Sequence, residues 1–227
     1  MGGYGQFCAV ARALEVVGER WTLLIVRELL MGAASFSDIR RGLPRIPRAT
    51  LSARLRGLRA AGIVDADYNL TDAGLALAPV VQELARWAVR TDSAALSEDD
   101  LDTAALTWDM QRRIDATQLP ARTVVLALTF TDRRPADRFF WLHVSPTGVN
   151  LCRDDTGAPV DVWLTAPTAE VTRWWIGELS WHDLQDQPGV DLHGDPALRR
   201  RIPRWFTRYV FTPEALAASD EIVRESK

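Results

Sequence analysis

Seven arginines, Arg40, Arg41, Arg45, Arg48, Arg54, Arg56 and Arg59, fall between Ile39 and Val64 with no acidic residue among them. A solvated helix face usually mixes signs, because opposite charges three or four residues apart pair with each other. A one-sign face interleaved with small side chains serves a different purpose. Guanidinium groups pair with phosphates or bidentately with guanine, and small residues let a helix sit deep in the major groove. The expected chemistry is recognition of double-stranded DNA. Arg48, Ala49, Thr50, Ser52, Ala53 and Arg56 are the candidates for base edges and nearby phosphates. Arg40, Arg41 and Arg45 are the candidates for holding the DNA backbone.

The elements that must position these residues can be read from spacing. Phe36, Ile39 and Leu43 recur at helical intervals, with Ser35 available as N-cap. Pro44 stops that helix, since proline disfavours helical geometry in the residue before it. Pro47 suits the first turn of the next helix, where its missing N–H loses nothing. In that second helix Leu51, Leu55 and Leu58 form one buried stripe, which turns Ala49, Ser52, Ala53 and Arg56 outward. Upstream, Val10, Leu14 and Val17 mark a helix ended by Gly18. Trp21 to Leu30 is apolar nearly all round and predicts a central buried helix closed by Gly32.

Helix, buried helix, then a two-helix reader is the order of a winged helix-turn-helix domain. The run C-A-V-A-R-A-L-E-V-V-G-E-R-W-T-L-L-I-V-R-E-L, followed by F-S-D-I-R-R-G-L-P-R-I-P-R-A-T-L-S-A-R-L-R-G-L-R-A-A-G-I-V, resembles the HxlR family of bacterial transcriptional regulators. The resemblance covers roughly residues 7–90 and implies a dimeric repressor or activator on a palindromic operator. It also places Cys8 where many relatives carry a cysteine, which in some of them senses oxidants or electrophiles. One departure stands out. Only Asp65 to Asn69 separates Val64 from the closing Leu70-Thr71-Asp72-Ala73-Gly74, so a much shortened, acidic wing is expected. After it, Leu75 to Ala88 reads as one apolar helix, with Pro79 near its start or at a kink, that pairs with its twin in a homodimer.

Charge divides the chain. Residues 1–90 carry 12 Arg/Lys against 8 Asp/Glu, and residues 91–227 carry 15 against 22. A basic half and an acidic half imply two tasks, with the polyanion assigned to the first. The expected organisation is a DNA-binding and dimerisation domain over 1–90, a linker over 91–103, and a second domain over 104–227. In the second, Ala104 to Ala116 predicts a helix that buries Ala105, Trp108 and Ile114. Thr123 to Phe130, a hairpin turning at Thr147-Gly148, and Pro159 to Ala166 predict strands. A long helix over residues 169–184, a short strand at Val190 to Gly194, and a helix capped by Asp195 and running to Phe211 follow.

That order of elements, with V-D-L-H-G-D-P-A-L, resembles the sterol-carrier-protein-like fold. The resemblance implies an α/β domain enclosing an apolar cavity that accepts hydrophobic small molecules, so the whole chain is expected to be α+β. Seven of the nine tryptophans lie beyond Arg90. Trp141, Trp163, Trp174, Trp175 and Trp181 are the candidates for lining a ligand site, against the plainer reading of dense core packing.

Enzyme chemistry finds little support. His143, His182 and His193 lack metal-ligand spacing, no phosphate loop or nucleophile elbow occurs, and no cofactor is expected. Ser180-Trp181-His182-Asp183 gathers a hydroxyl, an imidazole and a carboxylate, but neighbours along a helix point in different directions. Cys8 and Cys152 fit no disulfide framework, and Cys8 reads either as a redox residue or as a packing one. The sequence carries no signal-peptide pattern and no apolar run near the roughly 20 residues of a membrane span. A cytoplasmic protein is expected.

Overall fold

The computed structural model describes residues 3–91, 96–207 and 209. The chain divides into two compact units, Met1–Ala88 and Val89–Lys227. Among the described residues no helix is long and apolar enough to cross a membrane.

The first unit is helical: α1 (Ala9–Val17), α2 (Thr22–Leu30), α3 (Phe36–Gly42), α4 (Arg48–Ala60), α5 (Asp72–Leu75) and α6 (Ala78–Arg90), whose last turn crosses the division. Its core gathers Ile25, Val26 and Leu29 of α2, Ile39 of α3, and the Leu51, Leu55 and Leu58 stripe of α4. Ser35 caps α3 by accepting the Asp38 amide at 3.1 Å. α2 is central as expected, although it also buries Thr22 and the carboxylate residue Glu28. Thr71 caps α5 through the Gly74 amide, and a Cβ at Gly74 would lie 2.3 Å from the Ile63 carbonyl. Only glycine fits that closing position of the L-T-x-x-G run.

The continuous helix expected from Leu75 to Ala88 is broken at Ala76-Leu77 into α5 and α6. Pro79 is the cause: it cannot donate to the carbonyl one turn back, so the ladder restarts with proline in the first turn of α6.

The second unit is a five-stranded sheet with helices packed on one face. Its strands are β1 (Val124–Phe130), β2 (Phe139–Ser145), β3 (Gly148–Cys152), β4 (Val162–Ala166) and β5 (Asp191–Gly194), in the order β3-β2-β1-β4-β5. β1 and β4 are parallel, while the other neighbours run antiparallel. Leu126, Leu128, Phe140, Leu142, Val162 and Leu164 share one face. They pack with Leu106 and Met110 of α7 (Thr103–Arg112), Val171 and Trp175 of α8 (Thr168–Trp175), and Ile202 and Trp205 beyond α10 (Pro196–Arg201). α9 (Trp181–Gln185) contributes the fully buried Leu184.

Several boundaries differ from expectation. The helix expected over 169–184 is two: Gly177, at φ +88°, leaves the helical region, and Ser180 opens α9 with a new cap. α7 buries Thr103, Leu106, Thr107 and Met110, not Ala105 and Trp108. Thr107 tolerates burial because its hydroxyl donates to the Thr103 carbonyl at 2.7 Å. The β2–β3 turn is Pro146-Thr147, with Gly148 already in β3. β4 begins at Val162, not Pro159, because Asp161 docks its amide and carboxylate on the Val125 backbone. The closing helix ends at Arg201 and passes into a 3-10 turn at Ile202–Trp205, in which Pro203 cannot continue the ladder. Its expected end at Phe211 lies outside the described residues, as do 92–95 of the expected linker. Within that linker Ser97 and Asp100 form a capping box around a 3-10 turn at Glu98–Asp100.

Candidate nucleic-acid interface

The candidate DNA reader is α4, presented by α3 and the turn before it. Its inward face is sealed by Leu51, Leu55 and Leu58, and this fixes what faces outward. Arg48, Ala49 and Arg56 are exposed, and Thr50, Ser52 and Ala53 are half-buried along the same helix. Arg48 and Arg56 have no hydrogen-bond or ion-pair partner among the described residues, so both guanidinium groups are available to an external anion. Arg45 is exposed before α4. Arg41 is exposed but pairs with Asp38 at 3.2 Å, and Arg40 is half-buried with its Nε unpaired.

Two of the seven arginines belong to the fold instead. Arg54 donates to the Arg20 carbonyl at 3.1 Å and pairs with Glu19. Arg59 donates to the carbonyls of Asp65 and Ala66 at 3.0 and 2.9 Å, and its guanidinium lies 4.7 Å from the centre of the Tyr68 ring. The one-sign run is therefore partly structural. Backbone carbonyls as arginine partners leave no trace in the sequence.

Arg59 clamps the wing. The wing's only ladder contact among the described residues is the Val64–Leu70 bridge, closed by the Asp65 amide on the Asn69 carbonyl at 2.9 Å. Inside the turn the Asp65 carboxylate accepts the amides of Asp67 and Asn69 and the Asn69 side chain. The Asn69 side-chain bond, then the backbone bonds, hold that carboxyl below the usual carboxylate range. Since protonation removes the acceptor, these bonds persist above the ordinary Asp pKa and are lost as pH falls through the lowered one. The wing is thus a small, self-contained turn.

The tryptophans separate into two groups. Trp174, Trp175 and Trp181 come together with Phe206 and Tyr209 around a recess of about 340 Å³, to which Leu179 and Pro203 add apolar surface. Trp174 and Trp181 lie 4.9 Å apart between centroids, and Trp174 and Trp175 each meet Phe206 edge to face. Trp141 and Trp163 are elsewhere. Both register against Ala127, so they flank it on the opposite sheet face, Trp163 being 44% exposed. Strand alternation forces this separation, because residues 127, 141 and 163 point away from the helices.

The Ser180–Asp183 run forms a capping box: Asp183 N donates to Ser180 Oγ and Ser180 N to the Asp183 carboxylate. His182 turns away to Asp186, and His193 meets Asp191 at 3.1 Å. Cys8 is exposed at the N-terminal end of α1, where the amides of Ala11 and Val10 hold its thiol below the ordinary thiol pKa.

Comparison with known proteins assigns the first unit. Residues 16–94 match the model of the HxlR-like helix-turn-helix family. The HTH-type transcriptional regulator YvaP of Bacillus subtilis is 39% identical over 87 residues, covering 34% of this chain and 81% of that protein. The HTH-type regulator Rv3095 of Mycobacterium tuberculosis is 45% identical over 89 residues, covering 35% of this chain and 56% of its own length. For the second unit, the solved structure of UbiJ-SCP2, a ubiquinone synthesis protein, is similar at 12% identity with a TM-score of 0.32. That likeness covers 56% of this chain and 93% of the other.

Proposed function

This chain belongs, through its first unit, to the HxlR-like helix-turn-helix family of transcriptional regulators, and we propose from that premise that it is a homodimeric operator-binding regulator whose second unit takes a hydrophobic effector. The observation that carries the DNA reading is the outward face of α4. There Arg48 and Arg56 stand exposed, without a partner among the described residues, beside Ala49 and Ala53. Arg48, Thr50, Ser52 and Arg56 reach base edges and adjacent phosphates, and Arg40, Arg41 and Arg45 hold the backbone. The short wing adds little.

Dimerisation is supported by apolar surface that one protomer leaves in water. α1 exposes Val10 and Leu14, and α6 exposes Val80, Leu84 and Trp87. On α6, Val80, Leu84 and Trp87 fall at i, i+4 and i+7 and so share one face, the mark of an interface. Two copies would then present two α4 helices to half-sites about 34 Å apart, so a small change in dimer geometry alters affinity. The aromatic recess around Trp174, Trp175 and Trp181 is the proposed effector site, and Trp141 and Trp163 are not part of it.

The test is Leu84→Glu, which places a charge in the proposed interface. Light scattering should give the wild type twice the mass of one chain and the variant a single mass. Operator affinity should fall by about tenfold or more, each factor of ten being about 1.4 kcal/mol. A dimeric variant with unchanged affinity would remove this interface.

Redox control through Cys8 is a second reading, favoured by its exposure and its lowered thiol pKa. In that case Cys8→Ser should abolish any difference in operator affinity between oxidant and reductant. Equal affinities for the wild type in both would dismiss it.

A further inference from the structure

Among the described residues of the second unit, one group of arginines stands apart from the other cations. From Arg112 to Arg173 each arginine either pairs with a carboxylate, as Arg122 does with Asp161 at 2.7 Å, or, at Arg138, donates to the Arg133 carbonyl. Arg199, Arg200, Arg201 and Arg204 break that pattern. None of the four has a hydrogen-bond or ion-pair partner among the described residues, and the Nε of Arg199 is buried without one. This happens in the acidic half of the chain, where carboxylates outnumber cations 22 to 15 over residues 91–227. The nearest acidic residue in sequence, Asp195, is engaged: its carboxylate caps α10 through the amides of Ala197 and Leu198.

The local fold turns three of these charges into solvent. Ile202 and Trp205 are buried in the core beneath the segment, at 1% and 0% exposure. Arg200, Arg201 and Arg204 are all exposed, Arg200 and Arg204 about one turn apart and Arg201 next to Arg200. A cation near the C-terminus of α10 is favourable to the helix dipole, but one suffices for that. Three outward guanidinium forks within two turns match an extended polyanion. A membrane surface fits less well, since an interfacial site sets apolar side chains beside its cations. The other exposed residues over 196–205 are only Pro196 and Ala197.

We propose that Arg200, Arg201 and Arg204 form a second phosphate-contact surface that docks on the backbone of duplex DNA. It adds to the contacts of the first unit and carries no sequence information. The inference rests on the DNA-binding reading above, but its signature is separate from that of α4.

The test is the variant R200A/R201A/R204A in the full chain, with a lysine triple beside it. Binding to the protein's own upstream DNA and to an unrelated duplex is measured from about 50 to 200 mM salt. Each lost phosphate contact lowers the slope of log K against log salt by about 0.9, so the alanine triple should bind with a slope shallower by about 2–3. Its affinity for both duplexes should fall by the same factor, while the lysine triple keeps most of the slope. Thermal melting should be unchanged, because these side chains are exposed. An alanine triple with wild-type slope on both duplexes overturns the proposal. So does a loss seen only on phosphatidylserine vesicles, which would assign the face to membrane. A wild type that shows no preference for its upstream DNA, yet loses slope in the alanine triple, would sink the α4 reading and leave this one standing.

Discussion

Asp109→Ala should destabilise the second unit by about 3–5 kcal/mol, the usual cost of leaving a buried charge network uncompensated. Asp109 is 7% exposed, and its carboxylate accepts from three side chains. Arg112 donates through Nε at 2.8 Å, Arg113 through Nε at 2.9 Å, and Trp175 through its indole N–H at 2.9 Å. The last of these ties α7 to α8 across the core. Removal of the carboxylate takes the ion-pair partner from two guanidinium groups, 14% and 9% exposed at their side chains, and the acceptor from a buried indole donor. Asp109→Asn keeps an acceptor but no charge and should fall between wild type and alanine. Urea unfolding followed by tryptophan emission reads the loss directly, because Trp175 sits in the network. A midpoint within error of the wild type would mean that water replaces the carboxylate at no cost.

Arg56→Ala should have the opposite profile: an intact fold and altered reading of DNA. Arg56 is exposed and has no partner among the described residues, so stability should stay within about 0.5 kcal/mol. If it reads guanine, its loss should cost about 1–3 kcal/mol of binding and relax specificity at one position. Arg54→Ala, two residues away, supplies the contrast. Its side chain holds the Arg20 carbonyl and Glu19, so its loss should weaken the first unit without moving specificity. Binding of single-base operator variants separates the two. A uniform loss over all sequences for Arg56→Ala would demote it to a phosphate contact.

The parts of the molecule legible in the sequence are those governed by short-range periodicity. Leu51, Leu55 and Leu58 set the inward face of α4, and with it the outward arginines. β-branched apolar runs likewise mark the strands, and Ser35 and Asp195 announce the helix starts they cap. What periodicity does not carry is where apolar runs break and what polar groups meet. One apolar run hides the Gly177 turn and the Ser180 cap between α8 and α9. The five candidate tryptophans look alike as residues, yet strand phase puts Trp141 and Trp163 on the far face of the sheet. Arg54 and Arg59 count as free charge until the chain folds their carbonyl partners against them. The Asp109 network is unreadable for the same reason, since Trp175 lies 66 residues away. The Arg199–Arg204 run is visible as a run, but what sets it apart is the pairing of the other arginines, which only the fold supplies.

The central claim is that this protein reads duplex DNA through α4 despite its abbreviated wing. The most direct measurement is binding of the purified protein to DNA from its own upstream region, against an unrelated duplex, as salt is raised. Tighter binding to the upstream DNA that weakens steeply with salt, with the preference lost in the R48A/R56A variant, is the predicted result. Equal binding to both duplexes at every salt concentration would contradict it.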